Sequence, residues 1–141
     1  MEVKILAIQV NIDADSIIDK TRVHWAMALR YKEIVLGTFG PNGVNRPATW
    51  PALSPAYAKR VKPPVPTLKR TIGRIPNSIH ATANESCGSV FTEEPLAMYH
   101  QFAMGHNKYR PFFQFDQLGQ PTAFIVEEMR KAALDAINGM Q

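Results

Sequence analysis

Proline is crowded into one stretch of the chain, where eight of the eleven prolines lie between Pro41 and Pro76. Proline lacks the amide proton that helices and interior strands need, so this density forbids a continuous helix or an interior strand. The same stretch has no acidic residue, because none occurs between Glu33 and Glu85, yet it holds seven Lys and Arg residues. We therefore predict that residues 41–76 form a long, extended, basic arm.

The arm also carries large apolar side chains that a plain linker would not need. Trp50, Leu53 and Tyr57 are the main ones. Because large buried aromatic residues supply most of the contact energy at interfaces, we predict that these three anchor the arm on a sister subunit. On this interpretation Trp50→Ala leaves the monomer folded and prevents assembly. The alternative, a surface loop folded onto its own domain, stays open.

The rest of the composition is that of one ordinary domain. The chain has 141 residues, 45% of them hydrophobic and 20% charged, which is typical of globular proteins. No apolar run reaches the roughly 20 residues of a membrane span, and Glu2 and Lys4 interrupt the opening stretch, unlike a secretory signal. Cys87 stands alone and cannot form an internal disulfide. We expect a soluble single domain over residues 1–141, made in a cytoplasm, with 41–76 protruding from it.

Two elements are predicted before the arm. The β-branched and aliphatic run Glu2–Val10 favours a strand. A long helix is predicted from about Asp15 to Leu36, ended by Gly37 and Gly40-Pro41. Its apolar residues recur at steps of three, four and seven, which places them along one stripe: Ile18, Thr21, Trp25, Leu29 and Leu36.

After the arm the pattern changes to short β-prone segments and a final helix. The segments 77–83 and 88–92, separated by turn formers, predict a hairpin, and 96–102 predicts a third antiparallel strand. Residues 110–115 read as a short extended segment, and 122–137 as a helix followed by Gly139. This order predicts an α+β fold in which a small antiparallel sheet packs against a long N-terminal helix and a C-terminal helix.

The sequence shows no constellation that carries catalysis or holds a cofactor. The histidines lack metal-ligand spacing, and we interpret His24 and His100 as surface or half-buried polar residues. Ser54 lies in S-P-A-Y rather than in a nucleophile elbow. The glycine-rich run 37–43 lacks the terminal Gly-Lys-Ser/Thr of a phosphate loop. We predict a protein that is not an enzyme and that has no cofactor and no metal.

Basic residues of the arm form the other candidate site. They could face DNA phosphates or an acidic neighbour, although no nucleic-acid recognition motif accompanies them. The set is Lys59, Arg60, Lys62, Lys69, Arg70 and Arg74. A sequence-nonspecific DNA-binding module therefore remains the alternative function.

Three phrases then occur in a particular order. The first is R-P-A-T-W-P-A-L-S-P-A-Y at 46–57, and the second is L-K-R-T-I-G-R-I-P-N-S-I at 68–79. The third is M-Y-H-Q-F-A at 98–103, followed by Y-R-P-F-F at 109–113. Together they resemble the virion morphogenesis family of tailed bacteriophages, which includes tail completion proteins and is related to head-to-tail joining proteins. Ala103 stands where that family commonly has glycine.

The resemblance implies a structural virion protein of the neck or upper tail, a tail terminator or a connector. Such subunits form homo-oligomeric rings, for which the family suggests six copies, and they contact other neck and tail proteins. The implied location is the virion, with the host cytoplasm during assembly. The basic residues of the arm leave open non-specific contact with packaged DNA, and the lack of a long apolar run argues against contact with a membrane. Further interface candidates are Gln101, Arg110 and Phe112, with the alternative that these hold the sheet segments against the last helix.

Overall fold

The computed structural model describes residues 3–8, 19–40, 43–52, 55–60, 70–105 and 108–140. Their helices and strands follow one another along the chain as β1 (Val3–Ile8), α1 (Lys20–Gly37), α2 (Pro55–Arg60), α3 (Arg70–Asn77), β2 (Ile79–Ala83), β3 (Gly88–Thr92), α4 (Pro95–Gln101) and α5 (Ala123–Asn138). The fold is therefore α+β, as predicted.

The sheet is antiparallel and has the order β1-β3-β2. The hairpin of β2 and β3 is confirmed, with Ile79 opposite Thr92 and Ala83 opposite Gly88. The predicted N-terminal strand is confirmed as β1, which lies on the other side of β3 and carries one irregularity between Lys4 and Ala7. Alternate residues of β3 are buried, so one face of the sheet turns towards the helices.

Helix α1 is the centre of the fold, with β2 and β3 on one side and α5 on another. It begins after Asp19, whose side chain accepts from the backbone amide of Arg22, and therefore later than the predicted start at Asp15. The predicted stop is confirmed, because Thr38 caps the helix after Gly37. Its buried face is formed by Val23, Met27, Ala28, Tyr31, Ile34 and Val35.

The stripe that predicted α1 is on the opposite side from this core. Trp25, Leu29 and Leu36 are all exposed, at 41%, 44% and 37%. The helix therefore has apolar residues on two faces, and the 3.6-residue period by itself does not say which of them is buried.

The prediction of a third strand at 96–102 was wrong. These residues form helix α4, because Glu94 caps the first turn by accepting from the amide of Leu96 and Pro95 occupies the first helical position, where a missing amide costs nothing. The prediction that residues 41–76 are extended also needs correction, since two short helices, α2 and α3, begin within this stretch. Each of these helices begins within the stretch, and neither includes the part of it where prolines are most frequent.

Helix α5 agrees with its prediction at both ends. Thr122 caps it by accepting from the amide of Ile125, and Gly139 follows its last turn. Ile125, Met129 and Ala133 face the core. An ion pair between Arg30 and Glu128, with nitrogen and oxygen 3.1 Å apart, joins α5 to α1.

The hairpin presses closely on α1 at Gly88. A Cβ atom at this position would lie 2.5 Å from the carbonyl oxygen of His24, so a residue with a side chain would force backbone apart. His24 itself is 1% exposed, and its Nδ1 lies 3.0 Å from the carbonyl oxygen of Asn84. The interpretation of His24 as a surface or half-buried residue was therefore wrong, because the hairpin covers it.

Candidate interface and the joint between motifs

The residues of the first and third sequence phrases contact one another in a buried cluster. We call this cluster the joint and define it as Trp50–Ala52, Gln101 and Arg110–Phe113. The second phrase reaches the same region through Arg74, whose guanidinium lies 3.0 Å from the Glu94 carboxylate that caps α4. Segments far apart in sequence are thereby held around one short helix.

Trp50 is a core residue of its own chain. Only 6% of it is exposed, and its ring meets Phe39 edge-on at a centroid distance of 5.7 Å. Its indole Nε1 donates to the carbonyl oxygen of Pro111 over 2.7 Å. The prediction that Trp50 anchors an arm on a sister subunit is therefore wrong, because both its apolar surface and its polar atom are satisfied within the chain.

Arg110 secures the same segment from the other side. Its Nε donates to the carbonyl of Pro51 over 3.0 Å and its Nη2 to that of Ala52 over 3.3 Å. The residue is only 8% exposed, and burial lowers the pKa of the guanidinium from its ordinary value. This buried cation donates to backbone carbonyls of the segment that contains Pro51. The segment thereby gains hydrogen bonds that no regular β-ladder supplies to it.

Gln101 joins α4 to the segment after it. Its Oε1 accepts from the amides of Phe112 and Phe113, over 3.0 and 2.9 Å, while its Nε2 donates to the carbonyl of Phe113 over 3.4 Å. Phe112 is fully buried and packs against Phe39 and Phe113. Gln101, Arg110 and Phe112 thus act inside the chain, which matches the alternative that the sequence left open for them.

Two further residues of this region were missed by the sequence analysis. Arg46 lies over the Trp50 ring, with its guanidinium carbon 3.8 Å from the centroid, and its Nε donates to the carbonyl of Thr38 at the end of α1. Tyr31 of α1 accepts from the amide of Gln114 over 2.9 Å, and burial raises the pKa of its hydroxyl. The available signal for Arg46 was its spacing of four residues from Trp50.

His100 is half-buried as predicted, although on helix α4 rather than on a strand. Its Nδ1 has no hydrogen-bond partner among the described residues, and burial, followed by the positive charge of Arg110, lowers the pKa of the imidazole from 6.5. The folded protein therefore binds fewer protons at this residue than the unfolded chain does.

This difference predicts a loss of stability in acid. The free energy of unfolding should not depend on His100 above pH 6.5 and should fall as the pH drops below that value, by at most about 1.4 kcal/mol per pH unit. Urea unfolding at pH 5 to 8 measures it. His100→Gln should reduce the slope below pH 6.5, whereas His80→Gln, at an exposed residue of β2, should keep it; equal slopes in the two variants would contradict the assignment.

The other predicted arm residues are described only in part. Leu53, Lys62 and Lys69 lie outside the described residues, and Tyr57, Arg60 and Arg70 are placed only as positions in α2 and α3. Residues 43–52 do not protrude, since they run from Arg46 to the joint against the body of the protein. The prediction that residues 41–76 protrude as an arm is therefore wrong for residues 43–52.

The predicted basic face is divided in the structure. Lys59 is exposed on α2, whereas Arg74 is engaged by Glu94 through both Nε and Nη2. An arginine held by a bidentate carboxylate is less available to a phosphate, because its donors are already occupied. Arg74 thus belongs to the connection between α3 and α4.

Searches for similar proteins among family models, curated proteins and solved structures found no match to this chain. Within the described part of the chain, no helix is both long and apolar enough to cross a membrane. Across the same residues, no three His, Cys, Asp or Glu side chains are grouped so that they could hold a metal ion.

Proposed function

We propose that this chain is a structural virion protein of a tailed bacteriophage, which acts in tail completion or head-to-tail joining as a ring-forming subunit. The observation that carries the proposal is the joint. Phrases whose order resembles the virion morphogenesis family, and which are separated by about sixty residues, bind one another through Trp50 and Arg110. A resemblance is better supported when the motif residues contact one another inside the fold than when they are scattered over its surface.

The backbone at Ala103 supports the same proposal. This residue stands where the family commonly has glycine, and its φ is 53°, in the left-handed region that glycine adopts at little cost. In this chain the turn at Ala103 therefore has a backbone conformation that glycine would adopt at lower cost.

Electron microscopy tests the proposal directly. The purified chain should form rings of uniform diameter, and labelled antibodies against it should decorate tailed particles at the neck or upper tail. Labelling of tail fibres or capsid faces, or particles without label, would contradict the proposed role.

A DNA-binding titration distinguishes the proposed function from the alternative function. The proposal predicts weak binding of duplex DNA by the isolated chain at 150 mM salt. A monomer that binds DNA tightly, with affinity falling steeply as salt rises, would instead favour the sequence-nonspecific DNA-binding module.

A further inference from the structure

The exposed face of α1 is an apolar stripe with unpaired cations. Trp25, Leu29 and Leu36 lie within about 40° of one another around the helix axis and span about 16 Å along it. Lys32 lies between Leu29 and Leu36 on the same stripe, and Arg22 precedes Trp25 by three residues. Neither cation forms an ion pair with a described residue.

The apolar residues of this stripe are not part of the subunit core. The interior face of α1 already packs on the sheet and on α5, so the stripe adds nothing to those contacts. A tryptophan and two leucines exposed in a row, with cations beside them, have the composition of a protein contact surface. The unpaired charges indicate that the occupant carries carboxylates.

A second exposed patch, on α4, is apolar and has a carboxylate beside it, so it complements the stripe and its cations. Leu96 and Tyr99 are 42% and 41% exposed and share one face of the helix, since they are three residues apart. Glu93, exposed just before this helix, forms no ion pair with a described residue. The neighbouring Glu94 is engaged by Arg74, so among the described residues Glu93 supplies the unpaired carboxylate at this patch.

We infer that the α1 stripe of one subunit binds the α4 patch, Glu93, Leu96 and Tyr99, of a second copy of this chain. Both surfaces are apolar at the centre, and the cations of one complement the carboxylate of the other. When the stripe and the patch of one subunit bind two different copies, the contact is head-to-tail, and repeated head-to-tail contacts close into a ring when the rotation permits. The inference rests on the proposed function, and it names the surfaces that would build the ring.

Complementation between two variants tests this pairing. Leu29→Asp disables only the stripe and Leu96→Asp disables only the patch, and both residues are exposed, so circular dichroism should show both variants folded. Each alone should sediment as a monomer, with subunit affinity reduced at least tenfold. An equimolar mixture should yield a heterodimer and nothing larger, because one intact stripe and one intact patch remain. Leu118→Asp, at a turn residue that is 86% exposed, is the matched control and should assemble like the wild type.

The outcomes separate the inference from the proposed function. If the wild type forms rings and both Leu29→Asp and Leu96→Asp still form them, the pairing is overturned while the structural role stands. If Leu29→Asp is monomeric but Leu96→Asp assembles, the stripe binds another surface, and the pairing is again overturned. A wild-type chain that stays monomeric at all concentrations, and is absent from tailed particles, overturns both.

Discussion

Replacing Trp50 by alanine is expected to destabilise the folded monomer strongly rather than to block its assembly. The substitution removes a ring that packs on Phe39 and lies under Arg46, and it leaves the carbonyl of Pro111 without its donor. Truncation of a buried tryptophan costs about 3–5 kcal/mol, a large share of the stability of a small domain. Urea unfolding followed by circular dichroism should show a transition shifted to much lower denaturant.

The chain offers a matched control in its other tryptophan. Trp25 lies on the exposed stripe of α1, so Trp25→Ala, measured on monomeric protein, should change the free energy of unfolding by less than about 1 kcal/mol. If the two variants unfold at the same urea concentration, the burial of Trp50 is contradicted. If Trp50→Ala is folded and only assembly fails, the original interpretation of Trp50 as an intersubunit anchor is restored.

Gln101→Met is expected to have the second-largest effect. Methionine fills a similar volume but cannot accept from the amides of Phe112 and Phe113, which are both buried. Each buried amide left without an acceptor costs about 1–3 kcal/mol, so the loss for the two amides should be at least about 2 kcal/mol. Urea unfolding measures the loss, and hydrogen exchange at the two phenylalanine amides should accelerate.

Gln117→Met is the control for the same chemical change. Gln117 is exposed in the turn before α5, and its replacement should alter stability by no more than about 0.5 kcal/mol. Unchanged protection of the Phe112 and Phe113 amides in Gln101→Met would show that another acceptor serves them and would contradict the role of Gln101.

Local patterns were sufficient to predict the elements whose signals are local. Strand β1, the hairpin and α5 follow from β-branched runs, turn formers and caps such as Thr122. Helix α4 was mistaken for a strand because alternating polar and apolar residues around Tyr99 were given more weight than the Glu94-Pro95 start signal. In a segment of seven residues the cap is the more informative feature, since few residues remain to establish a period.

The joint depended on information that local patterns do not contain. Proline content correctly indicates that the backbone around Pro51 cannot enter a ladder, but it does not indicate which group satisfies its carbonyls. Arg110 does so from 59 positions away. Equally, the spacing of Trp25, Leu29 and Leu36 identified a helix without identifying which side of it faces water, because the buried face of α1 has the same period.

The contacts that complete the fold join residues far apart in sequence, and this affects how fast the chain folds. Trp50 must meet a carbonyl 61 residues later, Tyr31 an amide 83 residues later, and Arg30 a carboxylate 98 residues later. Closing such long loops costs entropy before any contact compensates it, and chains rich in distant pairings fold slowly. During synthesis the indole of Trp50 therefore lacks its acceptor, and Phe39 lacks the ring of Phe112, until the segment that begins at Pro111 has been made.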